Sequence, residues 1–372
     1  MKIRDIEMTA VEVPVIPLEE GGIAPYRGSQ DKVGTTSITS LIFKVTTDEG
    51  ITGWGEMNPI ISTKVTKVLL EEYIKPLVIG QNPFDLNKIM QAFAPVYNPQ
   101  INTKSFLTAI EMACWDIMGK SVNKPVYELL GGKVRDRIDI AYALGILDIT
   151  QTKEKIAQIK EEGYRTLKTK GGKDVVFDIR RTIAMRDAGG DYFDIRVDMN
   201  QGYDTPTALR YLRGVEECDI QYIEQPIKVN KMDDLQSLRD RTRVPIGINE
   251  DCYVPGNLFE AIRRKAIDIA IVDFEPLGGI TELSRLEHVA READLPLAHH
   301  CGWDMGVKLA AILHSTCTMP AFTYPMDSTY FAHADDVLKE KIRIEDGSYV
   351  IPEGAGLGVQ VDEEKLQFLA VK

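Results

Sequence analysis

Seven ionisable residues fall in step along the second half of the chain: Lys170, Asp198, Glu224, Glu250, Asp273, His300 and Asp327. They are separated by 28, 26, 26, 23, 27 and 27 residues, about one strand–helix unit each. Where such units close into a parallel barrel, the C-terminal strand ends converge on one mouth, and barrel enzymes do their chemistry there. Residues one unit apart in sequence then become neighbours in space.

Three of the seven, Asp198, Glu224 and Glu250, are carboxylates on consecutive units. Any one alone reads as a solvated loop acid in a chain with 56 Asp and Glu. Crowded at one mouth, three negative charges repel unless a cation sits among them. Hard oxygen ligands that leave room for water or substrate suit Mg²⁺. In Lys168-Thr-Lys170 the strand period of two puts both lysines on one face. One ammonium pressed against another near a divalent cation predicts a lowered pKa and a base usable near neutral pH.

Asp273 and His300 end the sixth and seventh units. A carboxylate accepting from one imidazole nitrogen orients the ring and raises its basicity, leaving the other nitrogen to handle a proton. His299 is expected to point the other way and to be structural. A cation, a lysine on one side and a histidine on the other suit removal of a weakly acidic proton beside a carboxylate. No G-x-S-x-G nucleophile is present. Cys301 is expected to face away from His300, which disfavours a thiol nucleophile.

The elements that must hold these residues divide the chain in two. Residues 2–15 and 39–55 alternate like strands, with Asp48-Glu49-Gly50 as a hairpin turn. Lys64 to Lys120 turns helical, and FLTAIEMACWDIMGKSV predicts a buried helix. Strands first and helices after indicate an α+β domain. The polar stretch at about 17–36 is too long for a hairpin turn and reads as a lid or a disordered segment. From about Arg137, β-branched runs (IDIAYAL, YRTLKTK, FDIRVDMN, QYIEQP, VPIGIN, IDIAIVDF, LPLAHH, AFTYP) alternate with helical sequence in about eight units. That is an α/β pattern, and without G-x-G-x-x-G or a P-loop the barrel is favoured over dinucleotide or nucleotide folds.

The composition sets outer limits. In 372 residues, 44% are hydrophobic and 27% charged, enough for a sizeable core. Lys plus Arg number 44 against 56 acids, a formal charge of −12 that gives no reason to bind nucleic acid or an anionic membrane. Five dispersed cysteines, with no C-x-x-C, argue against a disulfide framework or structural zinc. Without a signal peptide or a long apolar run, a cytoplasmic location is expected.

As an ordered set, GWGE (53–56), AIEMACWDIMGK (109–120), LKTK (167–170), VDMNQGY (197–203), IEQP (223–226), NED (249–251), DFEPLGGIT (273–281), HH (299–300) and PEGAGLGVQVD (352–362) resemble the enolase superfamily. Within it they are similar to the mandelate racemase subgroup. That superfamily uses a Lys or His base with Mg²⁺, so the pairing is a family property rather than a reading of spacing. The resemblance implies a modified TIM barrel of (β/α)₇β type at 129–354. An α+β capping domain would occupy 1–128, and a C-terminal segment, 355–372, would return to the cap.

It further implies Asp198, Glu224 and Glu250 as Mg²⁺ ligands and Lys170 as one base. Lys168 would tune Lys170 and touch the substrate carboxylate, and His300 with Asp273 would serve the other face. Asn200 and Asp327 would contact substrate. The cap loop with Tyr26, Arg27 and Lys32 would close over it, with residues 57–64 also setting specificity. Arg27 and Lys32 are compatible with a second substrate carboxylate, and equally with a solvated lid.

Two departures from the racemase pattern matter. Asp327 stands where racemases carry a glutamate, as in the glucarate dehydratases. Those enzymes use an asparagine as third metal ligand, which makes Asn249 the alternative to Glu250. Asp273 stands where muconate-cycloisomerase-like members carry a lysine, which lowers the cycloisomerase and dipeptide-epimerase readings. The leading expectation is Mg²⁺-dependent dehydration of a sugar acid to a 2-keto-3-deoxy acid. The alternative is a racemase or epimerase of a 2-hydroxy acid, and behind it a non-catalytic sugar-acid-binding protein. A small carboxylate partner and a homo-oligomer complete the expectations.

Overall fold

The computed structural model describes residues 1–29, 31–59, 62–93 and 103–371. Three antiparallel strands, β1 (Ile3–Pro14), β2 (Ser37–Thr47) and β3 (Thr52–Met57), open the chain in the order β1-β2-β3. Gly50, at φ 81, makes the β2–β3 turn that the sequence places there. Helices α1 (Thr63–Leu69), α2 (Lys75–Val78), α3 (Leu86–Phe93), α4 (Lys104–Ser121) and α5 (Val126–Leu129) follow. The sheet packs on α4 so closely that a side chain at Gly53 or Gly55 would strike the carbonyls of Ala113 and Ala109. The glycines of GWGE are therefore contact points between strand and helix. Phe43, Phe106, Ile110 and Ile117 fill the core between them.

The second unit is an eight-stranded parallel barrel. Its order is β4 (Arg137–Leu144), α6 (Ile149–Glu161), β5 (Thr166–Lys170), α7 (Val175–Gly189), β6 (Asp194–Asp198), α8 (Thr205–Val215), β7 (Tyr222–Glu224) and α9 (Met232–Arg239). Then come β8 (Ile246–Ile248), α10 (Asn257–Arg264), β9 (Ile269–Val272), the short α11 (Phe274–Leu277), α12 (Ile280–Glu292), β10 (Leu297–His299), α13 (Gly306–Thr316) and β11 (Met326–Ser328). From β4 to β10 each strand pairs in parallel with the next, and β11 pairs with β4.

The eighth strand differs from the sequence reading. AFTYP supplies only the β10 side of the closure, through a Leu297–Phe322 bridge, and the pairing with β4 begins at Met326. Pro325, with no N–H to donate, separates the two halves. A hairpin, β12 (Ile344–Glu345) and β13 (Ser348–Val350), adds antiparallel to β4. After α14 (Glu363–Phe368) the chain bridges Ala370 to Val11 on β1. The 17–36 stretch has bridges of its own, Pro17 to Ala24 and Tyr26 to Thr35. No helix among the described residues is long and apolar enough to cross a membrane.

Candidate active site

Strand register assembles the charged cluster. Lys170 lies opposite Asp198 on β6, and Asp198 opposite Glu224 on β7. Lys170 Nζ is 2.6 Å from Asp198 Oδ2 and donates to Asn200 Oδ1 at 3.0 Å. Lys168 Nζ stands 2.6 Å from Asp327 Oδ2, 2.7 Å from Glu224 Oε2 and 3.6 Å from Asp198 Oδ2. On the other side of the barrel His300 follows β10, and its Nδ1 is 3.3 Å from Asp273 Oδ2. Asp273 Oδ1 accepts from the Glu275 N–H at 3.1 Å, which fixes the carboxylate's orientation.

The donor set fits a hard cation. Glu224 Oε1 and Glu250 Oε2 are buried with no hydrogen-bond donor, and Glu224 Oε2 has only the Lys168 ammonium beside it, a costly condition for carboxylates unless a further cation completes it. Ligand atoms of Asp198, Glu224 and His300 lie within 4.8 Å of one another. That trio is not the one read from sequence, because Glu250 opens a 3-10 turn (Glu250–Tyr253) beyond β8 and stands further out. Its Oε1 accepts from Asn200 Nδ2 at 3.4 Å, and it lines the cavity. Asn249, the alternative ligand, does not line the cavity, and its Nδ2 donates to Tyr253 Oη at 2.6 Å and to the Ile271 carbonyl at 2.9 Å.

Each lysine feels the acids around it more strongly than it feels the other lysine. Burial alone would lower both, but the carboxylates outweigh it. Lys168 is held well above its ordinary value by Asp327, Glu224 and Asp198, and Lys170 is raised chiefly by Asp198. With no cation among these acids, the ammoniums serve as their counter-ions. At His300, burial and Lys168 pull the imidazole down, and the hydrogen bond to Asp273 together with the negative charges of Glu224 and Asp273 leaves it raised.

Asp198, Glu224 and the paired lysines gather as the spacing indicates, and the remaining residues are more mixed. Asp327 lies within β11 and both its oxygens are engaged, Oδ2 by Lys168 and Oδ1 by Arg196 at 3.1 Å. It braces Lys168 and also lines the cavity. Arg196 was missed by the sequence reading. Its place in FDIRVD, two residues before Asp198 and so on the same inward face, was the available signal. Tyr26 lines the cavity edge-on to Trp303, with ring centroids 5.1 Å apart. Arg27 does not line it: the side chain is exposed, because the backbone is turned by its carbonyl's bond to the Ile146 N–H at 2.7 Å. Lys32 is likewise exposed and outside the lining.

His299 is buried between Phe274 and Phe322, as expected. Cys301 does reach the cavity, since strand alternation ends at His299, but burial pushes its thiol up to about 11 and so keeps it protonated. Trp303 and Ser29, whose Oγ donates to Asn200 Oδ1 at 3.3 Å, are further lining residues that no sequence pattern announced. Within the 57–64 segment Asn58 lines the cavity, and residues 60 and 61 lie outside the described residues. The whole cavity measures about 600 Å³.

Known proteins are similar to this chain in sequence and fold. The N-terminal domain of mandelate racemase / muconate lactonizing enzymes matches residues 14–131, and the enolase C-terminal domain-like family matches residues 151–365. The N-succinyl-L-Arg/Lys racemase of Bacillus cereus is 29% identical, the match covering 100% of this chain and 98% of that protein. Its crystal structure gives a TM-score of 0.91 at 28% identity, covering 100% of this chain and 99% of that one. The arabinonate dehydratase of Saccharolobus solfataricus is also 29% identical, over 90% of this chain and 94% of that protein. Muconate cycloisomerase 1 of Rhodococcus opacus is 26% identical, over 99% and 98%. With both domain families matched in order over most of its length, the chain belongs to the mandelate racemase/muconate lactonizing enzyme family of the enolase superfamily, a group of proton-abstracting enzymes.

Proposed function

We propose that this enzyme abstracts the proton α to a carboxylate with Mg²⁺ as cofactor, and that it dehydrates a sugar acid to a 2-keto-3-deoxy acid. The observation that carries this reading is the pair of proton-handling groups on opposite sides of one cavity, Lys170 on β5 and the Asp273-held His300 after β10. Asp198, Glu224 and Glu250 would hold the metal, with His300 close to the first two. Bound there, Mg²⁺ would supply positive charge to stabilise the enolate.

Lys168 binds the substrate carboxylate from the floor. Lys170, deprotonated once the acids have another counter-ion, takes the α-proton on its face. His300, protonated and oriented by Asp273, delivers a proton from Nε2 to the departing β-hydroxyl, so that water leaves and the enol becomes the keto acid. Hydroxyl and amide groups of Ser29, Thr35, Asn58, Gln201 and Thr329 line the cavity and suit a polyhydroxylated chain.

The second reading is a racemase or epimerase, in which the same two groups exchange the α-proton between faces. The similarity to a racemase over the full chain favours it. Proton NMR in D₂O with Mg²⁺, over a panel of sugar acids and 2-hydroxy acids, separates the two. Loss of the α-proton with a new methylene signal is the expected result. Loss with the skeleton intact would replace dehydration by racemisation, and no exchange across the panel would refute proton abstraction from these acids.

A further inference from the structure

Below the mouth lies a cation that reaches neither the cavity nor solvent. Arg196 on β6 stands opposite Lys168 on β5 and Tyr222 on β7, so two like charges sit side by side on adjacent strands. Its side chain is fully buried and outside the cavity lining. Nη1 donates to Asp327 Oδ1 at 3.1 Å and to the Pro325 carbonyl at 3.0 Å, and Cζ is 4.9 Å from the centroid of the Tyr222 ring. Nε and Nη2 have no hydrogen-bond acceptor among the described residues. A buried ion pair with idle donors is a poor device for stability, since apolar side chains of similar volume fill such space as well or better.

The charge has a use at the floor of the cavity. Asp327 gives Oδ1 to Arg196 and Oδ2 to Lys168, so one carboxylate is shared by two cations and cannot cancel both. In the connected cluster three cations, Lys168, Lys170 and Arg196, face four acids, Asp198, Glu224, Glu250 and Asp327. The Asp273–His300 pair adds no net charge when the imidazole is protonated. A divalent ion held by Asp198, Glu224 and Glu250 turns the deficit of one charge into an excess of one, which a single substrate carboxylate neutralises. Without Arg196 that excess vanishes and Asp327 belongs to Lys168 alone.

We propose that Arg196 is a positioning residue for the substrate carboxylate: it occupies one oxygen of Asp327 and thereby leaves Lys168 with positive charge to offer the acid. This rests on the Mg²⁺-dependent proton-abstraction reading above and adds the group that makes its floor receptive to an anion. Arg196 touches no substrate. It acts through Asp327 and through its charge, which burial shields from the screening that weakens surface cations.

The test separates two ligands by the sign of their charge. Mg²⁺ alone is titrated calorimetrically into wild type, Arg196→Met and Arg196→Lys. Glycolate and D-gluconate are then titrated into the Mg²⁺-loaded proteins and followed by saturation-transfer NMR. Removing a cation beside the acids weakens an anion and favours a cation, whereas a packing defect weakens both. Arg196→Met is expected to weaken the tighter-bound acid by about tenfold or more, while binding Mg²⁺ at least as tightly as wild type. Arg196→Lys keeps the charge and is expected to hold that acid within about threefold of wild type. Should Arg196→Met not fold, Arg196→Gln takes its place with the same expectations. Unchanged acid affinity, a parallel loss of Mg²⁺ affinity, a lysine variant as weak as the uncharged one, or no binding of either acid to wild type overturns the proposal. The expected pattern without α-proton exchange in D₂O would leave this inference standing and refute the catalytic reading instead.

Discussion

Two buried charge clusters flank the top of the barrel, each built around a lysine with almost no exposure. One is the mouth, with Lys168 among Asp198, Glu224 and Asp327. The other is the seam between cap and barrel, where Lys308 Nζ lies 2.7 Å from Glu275 Oε2 and 3.0 Å from Asp304 Oδ1. The seam is nearly complete in itself, with Asp304 Oδ1 resting on the Lys308 ammonium alone. Glu56 on β3 accepts from the Met305 and Lys308 N–H groups at 2.7 and 2.9 Å, satisfying the first turn of α13. Glu275 also accepts from the Asn58 N–H at 3.0 Å, and Asp304 Oδ2 from the Gly302 N–H at 3.2 Å. The mouth is less complete, for Glu224 Oε1 and Glu250 Oε2 have no donor and Glu224 Oε2 has only the Lys168 ammonium. A structural cluster spends its lone pairs on backbone donors, whereas this mouth keeps several in reserve for a ligand.

If that distinction is right, catalytic and structural losses should separate. Lys170→Ala and His300→Asn should each lower turnover by about 10²- to 10⁴-fold, the usual range for a lost acid or base. Both should still gain thermal stability from Mg²⁺. Steady-state rates together with melting curves check this, and a fully active His300→Asn enzyme would remove histidine from the mechanism.

Lys308→Met attacks the seam. Glu275 and Asp304 would be left buried without their ammonium, at a cost of about 3–5 kcal/mol in chemical denaturation. Mg²⁺ affinity, read by calorimetry on the folded fraction, should stay at the wild-type value. A parallel loss of Mg²⁺ binding would show that the two clusters are one.

A milder contrast comes from two isosteric changes. Glu56→Gln loses one of two good acceptors and strands a buried N–H, so stability should fall by about 1–3 kcal/mol while the Mg²⁺-induced shift persists. Glu224→Gln removes a carboxylate whose one partner, Lys168, keeps Asp327, so the metal-free protein should lose less. The Mg²⁺-induced shift should largely disappear. Reversal of the two patterns in differential scanning calorimetry would mean that Glu224 Oε1 awaits nothing.

How far the sequence disclosed this depends on whether a feature is periodic. The barrel and the mouth residues repeat once per strand–helix unit, so Lys170, Asp198, Glu224 and His300 were legible from spacing alone. The seam was invisible, because Glu56 and Lys308 are 252 positions apart and meet only when the cap docks. The lid was legible as a loop but not in its side-chain directions: Arg27 drew attention for its charge, yet its side chain is exposed and outside the lining, while Tyr26 and Ser29 on either side of it line the cavity. Asp327 illustrates the same limit, since spacing located it and only packing revealed that Lys168 and Arg196 occupy both its oxygens.

The smallest effect expected is a pH slope, and it tests the comparison from the seam side. Burial pushes Glu56 up to about 7 against the pull of Lys308, and burial with Asp198 pushes Glu224 up to about 7 as well. Between the ordinary glutamate value of 4.5 and about 7, the native state then binds protons that the unfolded chain has released. Stability from each group is therefore complete below pH 4.5 and is lost as pH rises through about 7, by at most about 1.4 kcal/mol per pH unit. Saturating Mg²⁺ should hold Glu224 ionised and erase its share, leaving the share of Glu56 untouched. Denaturation midpoints from pH 5 to 7 should thus flatten on adding Mg²⁺ to the wild type, and flatten further in Glu56→Gln. A slope indifferent to Mg²⁺ would place the cation away from Glu224, and the mouth would then have to be read as a second seam.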